Sequence, residues 1–241
     1  LIPATLEGKA IHNVQNAMFS AALAYSMGKE LDDIRHGLQT FTQTFFQAPG
    51  KMNIFEEHPF KVLLDYAHNP AAVRAISELC SKLDVNGRRI AVISAPGDRR
   101  DEDIQKISEI ASPHFDHFIC KADDNRRGRV DNEVPQLMKK TLLTAGIKTA
   151  GIDVIPDEAC AVEAALSMAK EGDLVLILGD DITRCWKQIV HFDSENTAQV
   201  DKSAKLKQDE TVVEDFHFEL EEGQKIIQDE RGVRIAKEEA D

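Results

Sequence analysis

Residues 61–72, "KVLLDYAHNPAA", decide the fold. Val62, Leu63 and Leu64 form an unbroken apolar run without polar alternation, which is how a strand covered on both faces reads. The run stops on the carboxylate of Asp65. Beyond it, Asn69 before Pro70 has the form of a helix N-cap followed by proline at the first helical position. A buried strand, a short loop and a helix in that order make the first half of a parallel crossover unit.

Working outward, the same unit recurs. "RRIAVIS" (88–94), "HFICKA" (117–122), "GIDVIP" (151–156) and "DLVLILG" (173–179) are further continuous apolar runs. Helical patterns near 70–84, 101–112, 132–146 and 157–170 lie between them, and Gly87, Gly146 and Gly172 stand where those patterns stop. The acids at 101–103 suit a first helical turn. This alternation predicts an α/β fold with a Rossmann-like, doubly wound, mostly parallel sheet. Upstream, "NVQNAMFSAALAYSMG" (13–28) and residues 31–41 read as two helices outside the sheet. Downstream, residues 192–241 contain 15 Asp or Glu against 7 Lys or Arg. This acidic appendage has short alternating pieces such as "DFHFEL", separated by Gly223 and Gly232, and is read as a hairpin or a partly disordered tail.

Composition narrows the function classes. At 241 residues and 42% hydrophobic content the chain can bury a core. A formal charge of −13 argues against duplex nucleic acid as a partner. No window approaches the roughly 18 uninterrupted apolar residues of a membrane span, and no signal peptide is evident, so no membrane partner and a cytoplasmic location are expected. Cys80, Cys120, Cys160 and Cys185 are far apart, with neither a C-x-x-C pair nor zinc-ligand spacing, and are read as reduced, mostly buried thiols. No metal-binding residues are assigned. The chain opens on Leu1 within a run that already reads as structured, which suggests a piece of something longer.

In an open parallel sheet, ligands bind outside the carboxyl ends of the strands. Asp65 stands at such an end, where it could accept hydrogen bonds from a ribose diol, with His68 and Asn69 beside it. Capping a turn explains the same carboxylate equally well. No G-x-G-x-x-G follows any strand, and no G-x-x-x-x-G-K-[ST] occurs in the chain. After the next strand, "APGDRRDEDI" (95–104) places Arg99 and Arg100 at a helix start, where cations oppose the dipole unless an anion is bound. Neutralisation by Asp98, Asp101 and Asp103 is the alternative. "KADDNRRGRVDNEVP" (121–135) then supplies Arg126, Arg127 and Arg129 around Gly128, forked groups suited to carboxylates or phosphates. An exposed basic loop would account for them too.

Taken together, "APGKMNIFE", "DYAHNP" and "GDRRDEDI" resemble the C-terminal domain of the Mur ligase superfamily, the ATP-dependent amino-acid ligases. "AIHNVQNAMFSAALAYSMG" is similar to the last helix of the central ATPase domain in that superfamily. Within it, "SAPGDRRDEDI" and "RRGRVDNEVP" look most like the cyanophycin synthetases, whose Mur-like module adds arginine to a poly-aspartate chain.

The resemblance covers roughly residues 6–191 and divides the chain into the end of the ATPase domain (1–48), the Rossmann-like domain (49–191) and the acidic tail (192–241). It implies ATP and Mg²⁺ as cofactors and activation of a carboxylate as an acyl phosphate, which an amine then attacks. It also implies an upstream ATPase domain and an amino-acid or polymer acceptor as partners, with a homo-oligomer left open. By the same resemblance Lys51 and Arg99 are the catalytic candidates. Lys51 stands where the family usually has an arginine reaching the terminal phosphate. Asp65 would hold the ribose, with His68 and Asn69 near the nucleotide. Arg100, Asp124, Asn125, Arg126, Arg127 and Arg129 would face the acceptor. After the last strand "LILGDDITRCW" departs from the Gly-Lys-Gly-His-Glu run of the peptidoglycan enzymes. A folylpolyglutamate-type ligase and a non-catalytic nucleotide-binding module are the competing readings. The isolated chain is expected to be inactive.

Overall fold

A computed structural model describes residues 2–130 and 132–193 and two strands at 224–229 and 232–237. Two helices, α1 (Ile11–Ser26) and α2 (Leu31–Thr40), precede an alternating series: β1 (Asn53–Phe55), β2 (Lys61–Asp65), α3 (Pro70–Lys82), β3 (Arg89–Ile93), α4 (Asp101–Ala111), β4 (His117–Cys120), α5 (Glu133–Thr144), β5 (Ile152–Val154), α6 (Glu158–Met168), β6 (Leu174–Leu178) and α7 (Ile182–His191). The six strands form one sheet in the order β1-β2-β6-β3-β4-β5, in which β1 runs antiparallel to β2 and all other neighbours are parallel. The chain is therefore α/β with a mostly parallel sheet, as its alternating pattern predicts.

The interiors of the inner strands β2, β6, β3 and β4 are apolar because each is covered on both faces. Leu63, Ala91, Ile93, Phe118 and Leu176 pack into one cluster with buried residues of α3, α4 and α5. Their strand neighbours Val62, Leu64, Ile90, Val92, Ile119 and Ile177 pack into a second cluster with α6 and α7. Period-two alternation is present, but it sorts residues between two apolar layers rather than between core and water.

That layering opens the site. The chain advances through β2, β3, β4 and β5 with α3, α4 and α5 on one face. It then returns by α6 on the other face and inserts β6 between β2 and β3. Loops leaving β2 and β3 turn to one face while the loop leaving β6 turns to the other, so a crevice opens at the carboxyl ends of these three strands. The register places Asp65 opposite Leu178, and Ile93 opposite Cys120, along that edge.

Helix starts are chemically marked. Asn69, Asp157 and Asp181 cap α3, α6 and α7, each accepting a backbone N–H three residues on. Two elements lie outside the sequence reading, β1 and α7. The first is a three-residue antiparallel edge strand, too short to carry a periodicity. The second was legible: Ile182, Cys185, Trp186 and Ile189 follow i, i+3, i+4, i+7 spacing behind the Asp181 cap.

The N-terminal helices differ from the rest. No residue of α1 is buried, and Met18, Phe19, Leu23 and Tyr25 are 63–75% exposed. An open cleft of about 690 Å³ runs between α1 and α2, lined by small and apolar residues such as Ala17, Ala21, Ile34 and Leu38. Separately, β7 (Gln224–Asp229) and β8 (Gly232–Lys237) pair antiparallel. The "DFHFEL" piece lies outside the described residues. Cys80, Cys120 and Cys185 are buried free thiols, while Cys160 is exposed at the start of α6. No helix among the described residues is long and apolar enough to cross a membrane.

Candidate functional site

The turn before β1 is built onto Asp65. Gly50 and Met52 both adopt positive φ, at 68° and 55°, which Gly tolerates and Met does not favour. The Met52 N–H donates to Asp65 Oδ2 at 2.9 Å, the Tyr66 N–H to the Gly50 carbonyl at 2.9 Å, and the Gly50 N–H to Asn53 Oδ1 at 2.7 Å. The turn-holding reading of Asp65 thus describes its Oδ2. Lys51, exposed at the tip, extends its ammonium over the Tyr66 ring, 5.7 Å from the centroid, and forms no ion pair among the described residues. His68 faces the same ring at 4.9 Å and bonds the Tyr66 carbonyl through Nδ1. Nδ1 must carry the proton for that bond, so Nε2 of the neutral ring is left as an acceptor. Asn69 is occupied as the α3 cap, its Oδ1 accepting from Ala72 N–H at 3.0 Å. Burial raises the Asp65 carboxyl above its ordinary range, and the Met52 amide and the Lys51 charge offset this only in part.

The two arginine-bearing loops are fastened to each other. Arg129 donates to the Gly97 and Arg99 carbonyls, both at 2.8 Å, and pairs with Asp101 and Glu133. Arg127 pairs with Asp98 at 3.1 Å, and Arg126 bonds the Asp123 carbonyl. A Cβ on Gly97 would lie 2.1 Å from the Arg126 carbonyl oxygen, so only glycine permits this approach of backbone to backbone. Arg100 is exposed and paired with Asp103. Arg99 is exposed, and its guanidinium meets no partner among the described residues. The fork of Arg129 therefore joins the loops. Arg129→Ala is expected to cost about 1.5–3 kcal/mol, the range for hydrogen bonds to charged groups, and to expose the 97–101 and 126–130 segments to protease. Melting temperature and limited proteolysis check this, and an unchanged melting point would contradict it.

Sequence reasoning did not assign Lys121 or Glu158, yet they form the centre of this edge. Both are fully buried, with Lys121 Nζ 2.8 Å from Glu158 Oε1, 3.1 Å from Ser94 Oγ and 3.7 Å from Asp123 Oδ1. Glu158 also accepts the Asp180 and Asp181 N–H groups at 2.7 and 3.1 Å and the Arg184 guanidinium. Arg184 reaches Asp124 at 2.8 Å, and Asp180 Oδ2 accepts the Asp124 N–H at 3.0 Å. Burial by itself pushes the Glu158 carboxyl up, but the Lys121 ammonium, the Asp180 amide and Arg184 together hold it down at about 2. Asp180 is raised by burial and by the neighbouring Asp123 charge. The available signal was the same as at Asp65: a charged residue, Lys121, directly behind the apolar run "HFIC". Asn125 holds its own loop, accepting the Arg127 N–H at 3.0 Å.

The family model for the Mur ligase glutamate ligase domain matches residues 50–180, which hold this whole edge as far as Asp180. The chain belongs to the Mur ligase family. The cyanophycin synthetase of Crocosphaera subtropica is 37% identical over 183 residues, covering 76% of this chain and 21% of that protein. The UDP-N-acetylmuramoyl-L-alanyl-D-glutamate–2,6-diaminopimelate ligase of Aquifex aeolicus is 31% identical over 171 residues, covering 70% of this chain and 33% of the relative. The structure of E. coli FolC in complex with ADP aligns with a TM-score of 0.57 and 26% identity over 73% of this chain and 38% of that one. The chain thus spans about a fifth of the length of the cyanophycin synthetases it matches. Within the Mur ligase family, the similarity to cyanophycin synthetases agrees with the resemblance read from "SAPGDRRDEDI" and "RRGRVDNEVP".

Proposed function

We propose that this chain is the C-terminal part of an ATP-dependent amino-acid ligase of the cyanophycin synthetase kind, forming an amide or isopeptide bond. The observation that carries this reading is the crevice edge. At the topological switch point it presents two cations that meet no ion-pair partner among the described residues, Lys51 and Arg99, and a carboxylate, Asp65, that is largely buried beside them and raised by that burial. Anionic ligands belong at such a place. ATP, when bound, supplies the phosphoryl group that activates a carboxylate. In this assignment Asp65 accepts the ribose hydroxyls, His68 Nε2 lies near the nucleotide with Asn69 shaping the loop, and Lys51 neutralises the terminal phosphate. Lys51 supplies a point charge rather than a fork. Arg99 meets the charge of the activated carboxylate. Arg100, Asp124, Asn125, Arg126, Arg127 and Arg129 frame the acceptor, mainly by fixing the shape of the two joined loops.

Magnesium is assigned elsewhere. Its ligands are assigned mainly to an upstream ATPase domain, as the resemblance to the Mur ligases implies. Residues 1–48 are assigned to the end of that domain. The exposed apolar side chains of α1 and the cleft beside α2 are the surface that the preceding chain would cover.

Asp65 separates this reading from a purely structural one. A carboxyl whose folded pKa lies above its unfolded value stabilises the fold while protonated, and that contribution is lost as pH rises through the folded value. At neutral pH the ionised side chain weighs against folding, so Asp65→Asn is expected to leave the melting temperature equal or higher. It should nevertheless raise the KM for ATP in the full-length protein by about tenfold or more, with kcat little changed, because a ribose contact is made equally in ground and transition states. Wild-type KM for ATP in Asp65→Asn would remove the ribose assignment. The alternative of a nucleotide-binding module without catalysis would give ATP binding and no amino-acid-dependent ADP.

A further inference from the structure

We propose that Glu158 and Lys121 are positioning residues for acceptor binding, acting through the Asp123–Asn125 turn and the Asp180–Asp181 turn. The inference rests on the ligase reading above and deepens it. Four separate segments end at this pair. Ser94 follows β3, Lys121 and Asp123 follow β4, Glu158 opens α6, and Asp180 and Asp181 follow β6. Glu158 bonds both amides of the last turn directly, and through Arg184 it reaches Asp124, whose own N–H closes the circuit on Asp180.

Such a group is costly to bury, since two opposite charges lose their hydration and their attraction repays it only with good geometry and further hydrogen bonds. Here Glu158 makes four contacts to donors and Lys121 is completely enclosed. A simple need for core stability would be met as well by apolar residues of similar volume. What apolar residues cannot do is hold the backbone N–H groups of Asp180 and Asp181 and the Arg184 fork at fixed positions. The device therefore holds the turns after β4 and β6 in one register, and the loop that continues from the first of them is fastened to the Gly97–Arg100 loop by Arg127 and Arg129. The Asp65 and Lys51 turn is held by a separate set of bonds, to Met52, Gly50 and Asn53, so nucleotide binding and acceptor positioning are built independently.

The test uses Glu158→Gln and Arg184→Gln in the full-length protein. The second variant leaves the buried Lys121 contact with Glu158 in place, so it keeps its fold if the first does not. Steady-state kinetics are read with the amino acid and with ATP varied in turn, alongside hydrogen exchange of the peptides covering 122–130, 179–184 and 62–69. Expected are a rise in amino-acid KM of at least fivefold, a KM for ATP within twofold of wild type, and faster exchange at 122–130 and 179–184 with 62–69 unchanged. Equal changes in both KM values, or exchange that is unaltered at 122–130, would overturn the positioning role. A wild-type protein that forms no ADP with any amino acid would instead remove the ligase reading, and the exchange pattern alone would then still decide whether the two turns are coupled.

Discussion

Replacement of Glu158 by alanine is expected to destabilise the fold by about 3–5 kcal/mol, the range found when one partner of a buried ion pair is removed. The magnitude follows from what is left behind. Lys121 stays fully enclosed with only Ser94 Oγ and the more distant Asp123 carboxylate, and two backbone N–H groups lose their acceptor. The same group dictates an acid sensitivity. Its carboxyl is held at about 2 against an ordinary value of 4.5, so its contribution is present above about pH 4.5 and is lost as pH falls toward 2. Urea denaturation at pH 7 and at pH 3 measures both effects. The wild-type chain should lose stability between the two pH values, and Glu158→Ala should be weaker at pH 7 and lose less on acidification. A loss under 1 kcal/mol at pH 7 would show that the pair is dispensable to the fold.

The second large effect is an absence of catalysis. The 241-residue chain alone is expected to fold and to release no ADP in response to any amino acid. It contains no G-x-x-x-x-G-K-[ST] segment, and phosphates without that backbone cradle and its lysine are poorly held for transfer. In the proposed reading, the residues within the 50–180 match supply cations and a ribose-binding carboxylate at one side of a crevice, half of a site. ADP release by the repurified chain, dependent on an amino acid and abolished by Lys51→Ala, would overturn this division of labour.

How much of this could be read beforehand depends on what each residue reports. The apolar runs gave the sheet because both faces are covered, so Val62, Leu63 and Leu64 are all fully buried and no polar residue interrupts them. The same rule points to the edge, since Asp65 and Lys121 are where such runs meet charge. It does not say which partner answers the charge. Glu158 follows Lys121 by 37 positions in the chain and meets it only through the α5 and β5 crossover, a pairing that no local spacing contains. The arginines show the converse. Their number around Gly128 was visible, but the carbonyls of Gly97 and Arg99 and the Asp98 and Asp101 carboxylates that occupy Arg127 and Arg129 belong to another loop. Arg99, in the middle of that neighbouring loop, meets no partner for its guanidinium among the described residues.

The most direct measurement follows an oxygen atom. If the full-length protein activates a carboxylate with ATP, the terminal phosphoryl group bonds one carboxylate oxygen, and the amine that forms the amide expels phosphate carrying that oxygen. Carboxylate-bearing polymer labelled with ¹⁸O in its carboxylates, incubated with ATP, Mg²⁺ and the preferred amino acid, should therefore yield inorganic phosphate with one ¹⁸O for each amide formed, and Lys51→Ala should suppress both products together. Amide formation with unlabelled phosphate, or ADP release at the same rate without polymer and amino acid, would contradict the account.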